Sequence, residues 1–176
     1  GFTIDTYYDD EGKYYRELRN APDRIFESQE EFRANACQLF DAQLLYAPWN
    51  KLYRRSYIKE KGIRFPGTFW DDLPFNLDVM RDVERVGCID GHYFLRARAE
   101  SENTKYRPDM YDKREEEHRW MNELYAYWNL DSPEIEEFLA RRYAERLVGC
   151  IENVTNRNCT LSKEEKRAAI KQMIST

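Results

Sequence analysis

Residues 47–80 read APWNKLYRRSYIKEKGIRFPGTFWDDLPFNLDVM. Pro48 and the Pro66-Gly67 pair punctuate this stretch, and each is followed by a helical signal. The first helix is expected from about Lys51 to Lys61, with Gly62 as its stop. The second follows Asp71 and Asp72 and is expected to run to about Arg85. Leu73, Leu77, Met80 and Val83 recur at helical spacing and form its apolar stripe. Between the two, 63–69 reads as a loop or short strand.

Upstream, Phe2, Ile4 and Tyr8 fall on one face of a strand over 2–8. The Asp9-Asp10-Glu11-Gly12 cluster is a turn signal, and Lys13–Leu18 can return as a second strand. Ser28 and Glu31 have the spacing of a capping box. A helix is predicted after them to about Leu45, with Phe32, Ala36, Leu39 and Phe40 on one face. Downstream, Val86–Ile89 and His92–Arg98 read as strands around an Asp90-Gly91 turn. After Pro108 the pattern is helical throughout: about 110–129, 133–154 and 162–175. Ser132-Pro133 opens the second of these and Ser162 with Glu165 caps the third. Ile135, Phe138, Leu139, Leu147, Cys150 and Ile151 make an apolar face on the middle one. The chain is therefore expected to be mixed α/β over 1–106, with a helical extension over 107–176.

Charged residues make up 35% of the 176 residues and the net charge is −5, which argues against a general nucleic-acid binder. Aromatics make up 15%, too many for a disordered chain. Cys37, Cys88, Cys150 and Cys159 form no CxxC pair, and with His92 and His118 they give no zinc spacing, so reduced thiols in a cytoplasmic protein are expected. No apolar run approaches the roughly 20 residues that span a bilayer. The chain opens at Gly1, directly in a strand-like segment, which predicts a fragment boundary.

Three groups of residues have the chemistry of a site. Asp71-Asp72 stands at a helix start, where acids serve as caps and suit the helix dipole. The same position also aims a carboxylate rigidly enough to act as a general base. Arg96 and Arg98 share one strand face, with Ser101 in the following loop, an arrangement that suits a diphosphate. Solvated arginines on an edge strand account for them equally well. Trp49, Asn50 and Lys51 can stack on a ring and meet a phosphate, although a core Trp beside a solvated Lys is the plainer account. The basic, aromatic-interleaved run 51–64 can bind a polyanion; more often such a run is a charged helix face.

Taken in order, APWNKLYRRSYIKEKGIRFP, FWDDLPFNLDVM, CID and YFLRARAESENT resemble the blocks of bacterial family 2 glycosyltransferases of the GT-A fold. The match covers 47–104. The resemblance implies an inverting enzyme of polysaccharide biosynthesis, with Asp72 as catalytic base and Asp71 where Glu is usual. It implies that Arg98 and Ser101, with Arg96 nearby, approach the donor diphosphate. Trp49, Asn50 and Lys51 would line the cleft. Ala97, Ala99 and Glu100 depart from the usual Gln, Glu and Gly. The family's nucleotide-binding half and its DxD metal motif have no counterpart in the chain. Asp9-Asp10-Glu11 reads as a turn.

The resemblance carries further expectations. The donor is a nucleotide-sugar, UDP-linked by family habit, and the acceptor is a saccharide or a lipid-linked sugar. A divalent metal, Mg or Mn, would serve the full-length enzyme, and this truncated chain would be inactive alone. Nucleic acid is not an expected partner. The location would be cytoplasmic, with peripheral attachment to the inner face of the membrane as one form of it. An exposed sheet edge predicts a homodimer. The competing class is a non-catalytic protein-interaction module in which the helices after residue 108 dock a partner.

Overall fold

A computed structural model describes residues 2–8, 12–19, 22–68, 70–97 and 105–175. It divides into two compact units, Gly1–Glu100 and Ser101–Thr176. The first unit is mixed α/β and the second is helical.

In the first unit, β1 (Phe2–Tyr8) is the central strand of a three-stranded sheet, between β2 (Lys13–Arg19) and β5 (Gly91–Ala97). β2 runs antiparallel to β1, with Asp5 opposite Arg16. β5 runs parallel to β1, with Asp5 opposite Phe94. Gly12 takes φ +59, which the return from β1 to β2 requires and a side chain disfavours. β3 (Arg24–Phe26) and β4 (Val86–Cys88) pair antiparallel as a separate two-stranded sheet. The strands either side of Asp90-Gly91 thus belong to different sheets. No expectation covered β3, a three-residue strand without a periodic pattern.

The helix expected over 28–45 is two short helices, α1 (Gln29–Ala34) and α2 (Ala36–Asp41), broken at Asn35. The Asn35 side chain donates to the Glu31 carbonyl at 2.8 Å, within the turn it interrupts. Ser28 accepts from the Glu31 N–H, but the Glu31 carboxylate reaches back to the Glu27 N–H, so the box closes one residue early. Phe32, Ala36, Leu39 and Phe40 are buried and form the core with Phe26, Ile4 and Leu45.

Next come α3 (Arg55–Glu60) and α4 (Asp72–Arg81). The first begins four residues later than expected, and the second ends at Arg81, leaving Val83 in the connection. Gly62 at φ +66 terminates α3 with both backbone bonds of a Schellman motif: its N–H to the Lys59 carbonyl and the Ile63 N–H to the Ile58 carbonyl. α4 buries Leu73, Phe75, Leu77, Val79 and Met80, and also Asn76.

The second unit contains α5 (Met110–Tyr127), α6 (Pro133–Thr155) and α7 (Lys163–Met173). Cys150 and Val154 of α6 pack with Met173 of α7. The α6 stripe also carries a buried cation, Arg142, which pairs with the buried Glu117 of α5. Arg114 and Arg146 reach the same carboxylate. Ser162 and Glu165 form a reciprocal capping box at α7, as their spacing predicts. Among the described residues, no helix is long and apolar enough to cross a membrane.

Candidate functional site

The site is built where 44–53 meets the first turn of α4. One buried side chain ties the two together. The Asn76 amide donates to the Tyr46 carbonyl and to the Asp72 carbonyl, each at 2.9 Å. Its oxygen accepts from the Tyr53 hydroxyl at 2.6 Å. An Asn in the interior is stable only when its amide is satisfied in this way. The result fixes the backbone of Asp72 from inside the helix.

The acidic pair sits above this anchor. Asp71 is the N-cap of α4 by position, but its side chain makes no cap bond. Capping therefore does not account for the acid. Asp72 is the first helical residue and is exposed, and its carboxylate has no hydrogen bond or ion pair among the described residues. Partial desolvation pushes its pKa up, the Asp71 charge pushes in the same direction, and Lys51 pulls back. Just before the pair, Trp70 takes φ +61, a left-handed conformation that a bulky side chain adopts at a cost of roughly 1–3 kcal/mol.

Lys51 is largely buried. Its ammonium donates to the Ala47 carbonyl and to Asn50 Oδ1, the latter at 2.8 Å. Desolvation drives its pKa down to about 8, while the charge of Asp72 favours the cation. Tyr53 is pushed up to about 12 by burial and then by the Asp72 charge, so it remains a hydroxyl donor. Trp49 is 51% exposed and meets Tyr93 edge-on at 5.1 Å. Burial raises the Cys88 thiol, which keeps it unreactive, and all four cysteines are free.

The structure thus brings Asp71, Asp72 and Lys51 within electrostatic reach of one another, with Asn50 bonded to Lys51. Trp49 lies beside them in sequence and packs on β5. Arg96 is exposed on β5. Arg98 and Ser101 lie outside the described residues, as do Asp9, Asp10 and Glu11. Sequence reasoning missed Asn76, Tyr53, Tyr93 and Cys88. The one signal for Asn76 was a polar residue one position ahead of Leu77 in the apolar stripe.

Among the described residues, no group of three or more His, Cys, Asp or Glu side chains is placed to hold a metal. The adjacent pair Asp71-Asp72 is not such a donor set. No protein-family model, curated protein or solved structure matches the chain.

A second cluster in the same unit has a different character. Asp5 of β1 is 2% exposed. It accepts from the Tyr14 hydroxyl at 2.7 Å and from Arg16 Nε and Nη2 at 2.8 and 2.9 Å. His92 Nε2 lies 2.8 Å from its second oxygen. The Arg16 bond, more than any other, holds the Asp5 carboxyl well below the usual carboxylate range. Every lone pair is engaged, so this cluster is a cross-strand clamp.

Proposed function

We propose that the chain carries the acceptor-side residues of an inverting glycosyltransferase of the GT-A family 2 type, with Asp72 as general base. The observation that supports it best is the state of Asp72. Its backbone is pinned by Asn76, its carboxylate is unengaged and exposed, and its proton affinity is raised. A base for a sugar hydroxyl needs all three properties. The strained Trp70 next to it fits a backbone held for function.

In this reading Asp72 takes the proton from an acceptor hydroxyl. The freed oxygen attacks the anomeric carbon of a nucleotide-sugar, and the bond to the nucleoside diphosphate breaks in line, with inversion. The Lys51 charge favours the ionised form of Asp72, the form that accepts the proton. Trp49 and Tyr93 offer an aromatic wall to a sugar ring. Arg96, and Arg98 by the resemblance, would meet the departing diphosphate.

The test is transfer from a UDP-sugar panel by a polypeptide that joins this chain to a donor-binding half, comparing Asp72→Asn with the unmodified protein. Full activity in Asp72→Asn would remove the assignment. The competing reading, docking by the helical unit, draws on exposed Tyr127, Val148 and Ile174. It predicts that replacing those three with polar residues abolishes a partner interaction and leaves transfer unaffected.

A further inference from the structure

We propose that residues 49–66 form a surface that docks on anionic lipid bilayers. Residues 51–68 hold six cations, Lys51, Arg54, Arg55, Lys59, Lys61 and Arg64, against Glu60 alone, in a chain whose net charge is −5. The charge along the chain is thus uneven, and this segment is strongly basic.

The segment is held to α4 by its aromatic residues. Tyr53 bonds to Asn76, Tyr57 donates to the Val79 carbonyl at 2.9 Å, and Phe65 stacks on Phe75 at 4.0 Å. These contacts fix which side chains turn outward. On α3, Arg55 and Lys59 lie two residues either side of Tyr57, on the side of the helix away from it and next to each other. Arg54, Arg55, Lys59 and Arg64 are exposed and have no ion pair among the described residues. Elsewhere in the same unit Arg16, Arg19, Arg24 and Arg85 each pair with a carboxylate. Four exposed cations with no ion pair among the described residues, in one segment of an acidic protein, make a surface complementary to an external anion.

The apolar residues decide which anion. Leu52 is 100% exposed, and Trp49 and Phe65 are about half exposed, at 51% and 47%. A leucine fully in water between cations gains nothing from a nucleic-acid backbone. At a bilayer it enters the acyl boundary while the cations remain among the headgroups. Lys51 and Tyr53 of the same segment line the Asp72 site, so docking would hold that site at the lipid–water interface.

The experiment is sedimentation of the 176-residue chain with phosphatidylcholine vesicles, with and without about 30 mol % phosphatidylserine. Binding is expected to the anionic vesicles alone and to weaken as salt is raised. Each cation contributes about fivefold, so Arg55→Gln with Lys59→Gln should lower partitioning at least tenfold. Leu52→Ser should lower it several-fold with unchanged thermal unfolding, since the residue contacts nothing it would destabilise. Equal binding to neutral and anionic vesicles, or binding to neither, would overturn the proposal. So would a Leu52→Ser chain that binds vesicles as the parent does while both bind a single-stranded oligonucleotide equally well. None of these readouts requires sugar transfer, so they fail or succeed separately from the assignment of Asp72.

Discussion

The middle of the three-stranded sheet and the first turn of α4 each present an aspartate, and they treat it in opposite ways. Asp5 is buried and receives four hydrogen-bonding contacts from Tyr14, Arg16 and His92. Asp72 is exposed and its carboxylate receives none among the described residues. The first has its proton affinity lowered by its partners, and the second has it raised by desolvation and by Asp71. A carboxylate that a fold uses for its own stability is saturated and acidic. One left with open lone pairs and a raised pKa is available for chemistry. The residue type is the same, so the environment alone separates the two roles.

Paired substitutions break this contrast most directly. Asp5→Asn should lower stability, because the buried carboxylate that accepts from Tyr14 and Arg16 is replaced by an amide whose NH2 end faces those donors. Asp72→Asn should leave the unfolding midpoint equal or slightly higher and reduce transfer in the joined enzyme about 10²–10⁴-fold. The acid limb gives a second measure. Asp5 has a folded pKa below its ordinary value of 3.8, so it contributes stability above 3.8 that is lost as pH falls through the folded pKa. Asp72 has a folded pKa above 3.8, so its ionisation costs stability as pH rises from 3.8 through that value. Urea denaturation from pH 2 to 6 should therefore show slopes of opposite sign removed by the two variants. Matching slopes would end the distinction.

The Lys51 cation beside Asp72 gives the next largest effect. Lys51 falls from an ordinary 10.5 to about 8, so between those values the unfolded chain binds the proton more tightly than the folded one. Stability should rise with pH across that window, by roughly 3 kcal/mol in all. Comparison with Lys51→Met isolates the effect, since the variant lacks the group and should be flat where the parent climbs. A partly neutral Lys51 near pH 8 should also be the first lysine acetylated by a limiting reagent. If peptide mapping shows all lysines modified together, the buried placement of its ammonium is wrong.

Much of the scaffold around these groups is legible in the sequence, because local signals suffice for it. The apolar spacing of Phe32, Ala36, Leu39 and Phe40 marks a buried face, and all four are buried. Ser162 with Glu165, Ser132-Pro133 and Gly62 mark helix ends that the structure keeps. Asp71 and Asp72 at a helix start are equally local. What was not legible depends on pairing between distant residues. The Asp5 clamp exists only because the register puts Arg16 opposite Asp5 and brings His92 beside it, 87 positions away. Asn76 looks like a surface residue in the stripe until Tyr46 and Tyr53 are known to converge on it. Arg142 breaks the α6 stripe for a similar reason, since its partner Glu117 lies on another helix. Asn35 splits a helix whose periodic pattern runs on unbroken, because its side chain competes for the Glu31 carbonyl.

Asn76 carries the next prediction. Asn76→Ala takes a buried side chain's three hydrogen bonds from the Tyr46 and Asp72 carbonyls and the Tyr53 hydroxyl, and should cost about 2–3 kcal/mol. A purely structural role ends there. If the amide also positions Asp72, the first turn of α4 loosens and the partial desolvation of the carboxylate is relieved. The Asp72 pKa, followed by carboxyl carbon resonances in the folded chain, should then fall back toward its ordinary value. Loss of stability with an unchanged Asp72 titration would confine Asn76 to packing.

The smallest effect separates the two halves of that anchor. Tyr53→Phe removes only the bond to the Asn76 oxygen and keeps both amide donors on Tyr46 and Asp72. Its cost should be about 1 kcal/mol, the usual worth of one such bond, and the Asp72 titration should hardly move. The two variants together rank the contacts by what they restrain: the donor side fixes the helix start, and the acceptor side fixes the aromatic segment against it. A Tyr53→Phe chain that shifts Asp72 as far as Asn76→Ala does would reverse that ranking. Tyr53, whose hydroxyl is pushed up to about 12 in part by the charge of Asp72, would then be the group that tunes the carboxylate.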